Sequence, residues 1–217
     1  MDQSINPIGL IVTIASLSVL PLIAVTATSF LKISAVLVIL RNAIGVQQVP
    51  SNMVLYGVAM VMSMLVMGPV LTDAGHRFAP NGKMPESGVD ILDAINRSVP
   101  PFKSFMLKNT RPDYLNSFYL TAQKFQAKYN APPVKEDDLF VVMPAFVASE
   151  LSDAFRMGLY LYLPFVIIDL AVSSALMALG MMMVSPMSLT VPAKIVLFVA
   201  VEGWAKVLQG LVNSYLG

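Results

Sequence analysis

Cysteine is absent from this 217-residue chain, and histidine occurs once. Without thiols there is no disulfide, no thiolate metal site and no cysteine nucleophile, and the redox compartment is left open. The lone His76 lies in the run Asp73-Ala74-Gly75-His76-Arg77 and reads as a solvated loop residue. Charge is also scarce: Asp, Glu, Lys and Arg make up 12% of the residues, against roughly 25% in an ordinary soluble domain. The formal net charge is +1, which leaves no basic footprint for nucleic acid. No glycine-rich phosphate loop, alternating strand pattern or low-complexity tract occurs. Neither a catalytic site nor a cofactor or metal is expected.

What the chain has in abundance is apolar surface. Hydrophobic residues make up 56% of it, and the mean hydropathy is +0.71. A soluble fold of this length leaves too much surface exposed to hide them all. Lipid or partner subunits must cover the remainder. The charges are also unevenly placed: residues 73–138 hold 17 of the 27, and the other 151 positions hold ten. Three blocks follow: an N-terminal hydrophobic helical hairpin over 1–72, a polar helical insert over 73–138, and a C-terminal hydrophobic helical hairpin over 139–217. The fold class is all-α: a membrane protein of two long helical hairpins, about four hydrophobic segments in all, some kinked or broken.

In the first block no charge occurs between Asp2 and Lys32, or between Arg41 and Asp73. A membrane-spanning helix takes about 20 apolar residues, so spans are expected near 8–31 and 53–71. Pro21 should kink the first. Gly45 is a helix stop, Val49-Pro50 is extended, and Ser51 or Asn52 caps the next helix. The turn therefore falls near 45–51. The last block repeats the plan, with an apolar run over 157–183 broken only by Asp169. Interruptions at Ser185-Pro186 and Val191-Pro192 place the second turn near 185–192, and a final helix covers 195–216. Lys32, Arg41 and Lys194 flank the two turns without acids, which places both turns in the cytoplasm and the polar insert outside. The start Met1-Asp2-Gln3 has no basic n-region, so the first span is expected to act as its own insertion signal.

Within the insert, Ile91, Leu92, Ile95 and Val99 follow helical spacing. Pro112 suits a first helical turn, with Leu115, Phe118, Ala122 and Phe125 as the apolar stripe behind it. Pro100-Pro101 and Pro132-Pro133 read as linkers.

The rare charges inside apolar runs are Lys32, Asp169, Lys194, Glu202 and Lys206. Such groups face a bundle interior, a partner or water, because lipid penalises them. Glu202 and Lys206 have the i,i+4 spacing of a helical ion pair, and Glu150, Asp153 and Arg156 read as a structural salt-bridge stripe. Asp169 without a nearby acid or histidine makes a poor proton relay; it reads as a satisfied contact between subunits. Methionine is the other excess, at 15 residues. Met181, Met182 and Met183 are consecutive and sit just before Val184-Ser185-Pro186. Successive residues of a straight helix turn by about 100° and would scatter them. At a break they can project together, and in a ring of subunits they would form a soft hydrophobic constriction.

Several blocks resemble the FliP/SctR (YscR) family. In the first half these are Ser29-Phe30-Leu31-Lys32, Arg41 through Pro50 (Arg-Asn-Ala-Ile-Gly-Val-Gln-Gln-Val-Pro) and Met67-Gly68-Pro69. In the second they are Pro144 through Leu151, Pro164 through Leu170, Ala178 through Pro186 and Pro192 through Trp204. The resemblance implies an export gate at the centre of a type III secretion system. In it, about five copies assemble with SctS and SctT (FliQ- and FliR-type) proteins around one channel in the bacterial inner membrane. Unfolded protein substrates would pass through it, the polar insert would be periplasmic, and the subunit would be no enzyme. The family's methionine gasket maps onto Met181, Met182 and Met183, and Glu150 falls in a block expected at subunit contacts. Flagellar members typically carry a signal peptide and a longer N-terminus. Their absence, with Gln47-Gln48-Val49-Pro50, favours the injectisome, virulence-associated branch over flagellar FliP. A secondary transporter is the alternative from another class, and would need an inverted repeat and a midplane polar cluster.

Overall fold

The computed structural model describes residues 25–46, 48–83, 88–181 and 183–216. These form seven α-helices and no strand. Most of the expected first span, with Pro21, lies outside the described residues.

The helix leading into the first turn is α1, Phe30–Ile44. Its 15 residues make about 22 Å of helix, short of the ~30 Å hydrocarbon core. It ends at Gly45, whose φ of 89° is the left-handed stop a Cβ would oppose. A short connection leads to α2, Asn52–Phe78. Ser51 caps α2 by accepting from the Val54 N–H at 3.4 Å. Arg41 clips the turn shut: its Nη1 donates to Asn52 Oδ1 at 2.6 Å and to the Pro50 carbonyl at 3.3 Å.

A 3-10 turn, Pro80–Gly82, precedes α3, Gly88–Lys108. Helix α4, Pro112–Tyr129, begins with Pro112 at its first position and ends at left-handed Asn130. The loop after α4 carries Pro132-Pro133 back to α5, Leu139–Ala178, capped by Asp138 through the Phe140 N–H. Lys103 donates to Asp137 in this loop at 2.7 Å, and that ammonium holds the Asp137 carboxyl below the usual carboxylate range. Helices α6, Met187–Ala200, and α7, Gly203–Asn213, complete the chain and meet at 63°.

Four local expectations are corrected. Pro100-Pro101 is no linker but lies inside α3. Proline φ is itself helical, so each ring costs one ladder bond without forcing an exit, and Pro101 is buried. Pro192 likewise lies inside α6, so the second turn is shorter than 185–192. His76 is not in a loop: α2 continues past Pro69, and the Asp73–Arg77 pair at 3.0 Å supports its last turn. The final helix is broken: Glu202 has φ 53°, left-handed, and so stands between α6 and α7.

α1 is the centre. Ile33, Val36, Leu37 and Leu40 are fully buried, and it packs against α2, α5 and α6. Lys32 lies beside Glu150, Ile39 against Gly158, and Ala43 is joined to Asp169 through Lys194, so α1 and α5 run parallel. A smaller core gathers Ala27, Met106, Val142 and Phe146 where α3 and α5 cross.

Two helices, Asn52–Phe78 and Leu139–Ala178, are long and apolar enough to cross a membrane, and the bent α6–α7 pair is a third candidate. Only 22% and 11% of their span-length windows are buried. Their apolar faces therefore point away from the rest of the chain, as expected for a helical membrane protein.

Gly158 tests the α1–α5 contact. A Cβ there would lie 2.9 Å from Ile39 Cγ2. Gly158→Val should destabilise the detergent-solubilised protein by about 1–3 kcal/mol through overpacking. Thermal unfolding should show Ile39→Ala recovering most of that loss in the double variant.

Candidate functional site: two buried charge clusters and a methionine loop

At the start of α1, Lys32 enters the bundle with its stem packed and its ammonium buried. Glu150, one-third of the way along α5, is fully buried opposite it, with 3.0 Å between Nζ and Oε1. Oε1 has no hydrogen bond of good geometry, so this contact is an ion pair rather than an aligned hydrogen bond. The other oxygen, Oε2, accepts from the Tyr215 hydroxyl. Tyr215 comes from the tail beyond α7, and its ring lies 3.9 Å beneath the Lys32 ammonium. The Ser29 hydroxyl donates to Ser63 Oγ of α2 at 3.0 Å in the same layer. Next door, Ser149 Oγ accepts from the Arg111 N–H at 3.1 Å and so holds the start of α4. α1, α2, α5 and the C-terminal tail are thus tied at one level. A lone buried charge would cost several kcal/mol, and ion pair, hydroxyl and ring together offset it.

The second cluster sits at the other end of α1. Buried Lys194 of α6 donates to Asp169 Oδ2 of α5 at 2.6 Å and to the Ala43 carbonyl at 3.2 Å. That carbonyl is one of the last four of α1, which lack helical partners and carry the negative end of the dipole. Lys194 therefore satisfies a helix terminus and an acid at once. Within one copy Asp169 pairs with Lys194, which reaches it from the adjacent α6, and 41% of the Asp169 side chain stays exposed.

Beyond this pair, α5 ends in a Schellman turn. The Gly180 N–H donates to Met177 O and the Met181 N–H to Leu176 O, with Gly180 at φ 72°. Met181 is 45% exposed and Met183 100% exposed. Met182 lies outside the described residues.

Among the other candidates, Asp153 and Arg156 form no ion pair with each other or with Glu150, so the expected stripe is absent among the described residues. Glu202 and Lys206 do not pair either, because the left-handed bend takes Glu202 out of the helix. Among the described residues no three His, Asp or Glu side chains gather as a metal site would require.

Residues 13–211 match the FliP family. This chain belongs to that family. The harpin secretion protein HrcR of Erwinia amylovora is 42% identical over 214 residues, 99% of both chains. Yop proteins translocation protein R of Yersinia pestis is 39% identical over 100% of both chains. Virulence protein YscR of Salmonella typhimurium is 41% identical over 97% of each chain.

Sequence reasoning missed Tyr215, Ser29 and Ser63, which complete the Lys32–Glu150 layer. A tyrosine directly after an apolar helix was the only available signal, and it names no partner.

The layer predicts asymmetric mutational costs. Glu150→Leu should destabilise the protein by about 3–5 kcal/mol, because Lys32 is left buried and uncompensated. The pair Lys32→Met with Glu150→Leu should recover most of it. Equal loss in the single and double variants, read by thermal unfolding in detergent, would sink the account.

Proposed function

We propose that this chain is a subunit of a type III secretion export gate of the injectisome branch, one that carries no enzymatic step. The observation that supports it most is the end-to-end match to relatives named for the secretion of harpins and the translocation of Yop proteins. In this reading about five copies assemble with SctS- and SctT-type proteins in the bacterial inner membrane. They surround a channel for unfolded protein substrates, and the polar helices α3 and α4 lie on the periplasmic side.

The physical features fit such a role. Among the described residues the outward faces of α2 and α5 are uncovered: Met53, Met60, Met64, Leu163 and Ile167 are all exposed. Soluble monomers rarely expose large apolar faces. Neighbouring subunits and lipid would cover these. Met181, Met182 and Met183 would form the gasket, since Met181 and Met183 are not used by this chain's own core. Thioether side chains are unbranched and deformable, so a ring of them can close on ions and still yield to a passing chain. Asp153, Arg156, Glu202 and Lys206, without an ion pair among the described residues, would be available for subunit contacts.

Two measurements test this. Deleting the gene should abolish secretion of the system's substrates into the medium, and normal secretion would refute the reading. Replacing Met181, Met182 and Met183 together with alanine should leave assembly intact on native gels while ion leakage across the membrane rises; unchanged leakage with normal assembly removes the gasket.

A further inference from the structure

With cysteine absent, the thioethers of 15 methionines are the only sulfurs in the chain. The fold puts them in different settings. Met67 and Met106 are sealed in the bundle, at 2% and 1% exposure. Met53, Met60 and Met64 lie on the outward face of α2, where lipid or neighbouring subunits would cover them. Met181 and Met183 lie outside any helix, in the loop between α5 and α6, and Met183 is fully exposed. Neither belongs to the packed cluster around α1 or to the smaller one where α3 and α5 cross.

The loop presents these two side chains from a pinned backbone. The Met181 N–H donates to Leu176 O at 2.9 Å, and the Met181 carbonyl accepts from the Val184 N–H at 3.3 Å. Ser188 Oγ donates to the Ser185 carbonyl at 2.7 Å and fastens the start of α6. A chemical change at either sulfur therefore leaves the hydrogen bonds of the loop and the packing of the core untouched. At Met67 or Met106 the same change would place a polar oxygen inside a close-packed interior.

We propose that Met181 and Met183 are sites of oxidation by a peroxide-class oxidant, and that their sulfoxides open the methionine constriction to water and ions. The second half rests on reading the loop as the closure of an export channel. In the step, a sulfur lone pair attacks one peroxide oxygen. An S–O bond forms as the O–O bond breaks, and the departing hydroxide takes the proton of the transferred hydroxyl and leaves as water. Sulfur is oxidised by two electrons and the peroxide is reduced by two. A thioether is a weak acceptor, so a ring of them sheds water and gates by dewetting. A sulfoxide oxygen is polar and binds water, so the same ring wets without any movement of the backbone.

The test treats native membranes containing the complete secretion system with hydrogen peroxide. Sulfoxide at each methionine is followed by peptide mass spectrometry, and ion leakage is recorded on the same samples. Met183 should oxidise at least about tenfold faster than Met67 and Met106, because oxidation follows exposure. Leakage of the unaltered chain should rise severalfold along the same time course. Replacing Met181, Met182 and Met183 with leucine keeps volume and apolarity, and should abolish the leakage that peroxide induces. Oxidation of Met183 no faster than that of Met67, oxidation without leakage, or equal peroxide-induced leakage in the leucine variant each overturns the proposal. The alanine variant of the same three residues is scored in parallel. No leakage from it defeats the gasket reading, whereas a leaking alanine variant beside an unaltered chain that peroxide leaves tight defeats the oxidation proposal alone.

Discussion

The fold depends on one constraint: a lysine and a glutamate that lipid would reject are buried together at the centre of the bundle. Neither charge tolerates removal from water alone. Their pairing therefore fixes which turn of α1 faces which turn of α5, and the Tyr215 hydroxyl draws in the tail of the chain as well. Packing by itself would specify this register weakly, since one row of Leu, Ile and Val slides easily past another. The parallel run of α1 and α5 is then locked at its far end by Lys194, which bridges Asp169 and the open carbonyl end of α1. Between the two clusters, Gly158 lets Ile39 approach the α5 backbone. A short helix, clamped at both ends and recessed in the middle, is what the other helices are built upon.

That arrangement dictates the outside. Because α1 consumes the inward faces of α2, α5 and α6, their remaining faces turn outward, and those faces are apolar. The described residues thus pair their buried charges inward and turn apolar faces outward. This inverts the usual soluble arrangement and suits a subunit whose surroundings are lipid and other helices.

Much of this was legible in the sequence, and the failures have physical causes. Charge scarcity and its clustering over 73–138 located the polar helices. Gly45 and Ser51 marked a turn because left-handed backbone and side-chain capping are local properties. Pro100-Pro101 and Pro192 were misread as breaks because a lost ladder bond is a modest local cost that tertiary packing overrides. The bend at Glu202 went the other way: Glu202 and Lys206 are spaced like a helical pair, yet the close approach of Phe198 to Gly203 breaks the helix between α6 and α7. Charge partners were the least legible of all. Lys32 and Glu150 are 118 positions apart and Lys194 reaches both α5 and α1, and no local spacing announces contacts of that range.

The same clamps bear on the methionine loop. Asp169 and Lys194 anchor α5 and α6 to the end of α1, and both helices continue past the anchor before they meet. The ten residues from Asp169 to Leu179 and the seven from Lys194 back to Met187 carry the loop about 10–15 Å beyond it. Gly180, left-handed at the tip of α5, then turns the chain without a side chain of its own. Methionine loop and ion pair are therefore mechanically separated: one is held by charge and a helix terminus, the other overhangs with side chains that bend. If the overhang closes a channel, it can deform around a passing polypeptide while the register of the bundle beneath it stays fixed, because the work of deformation falls on thioether rotamers rather than on buried charges.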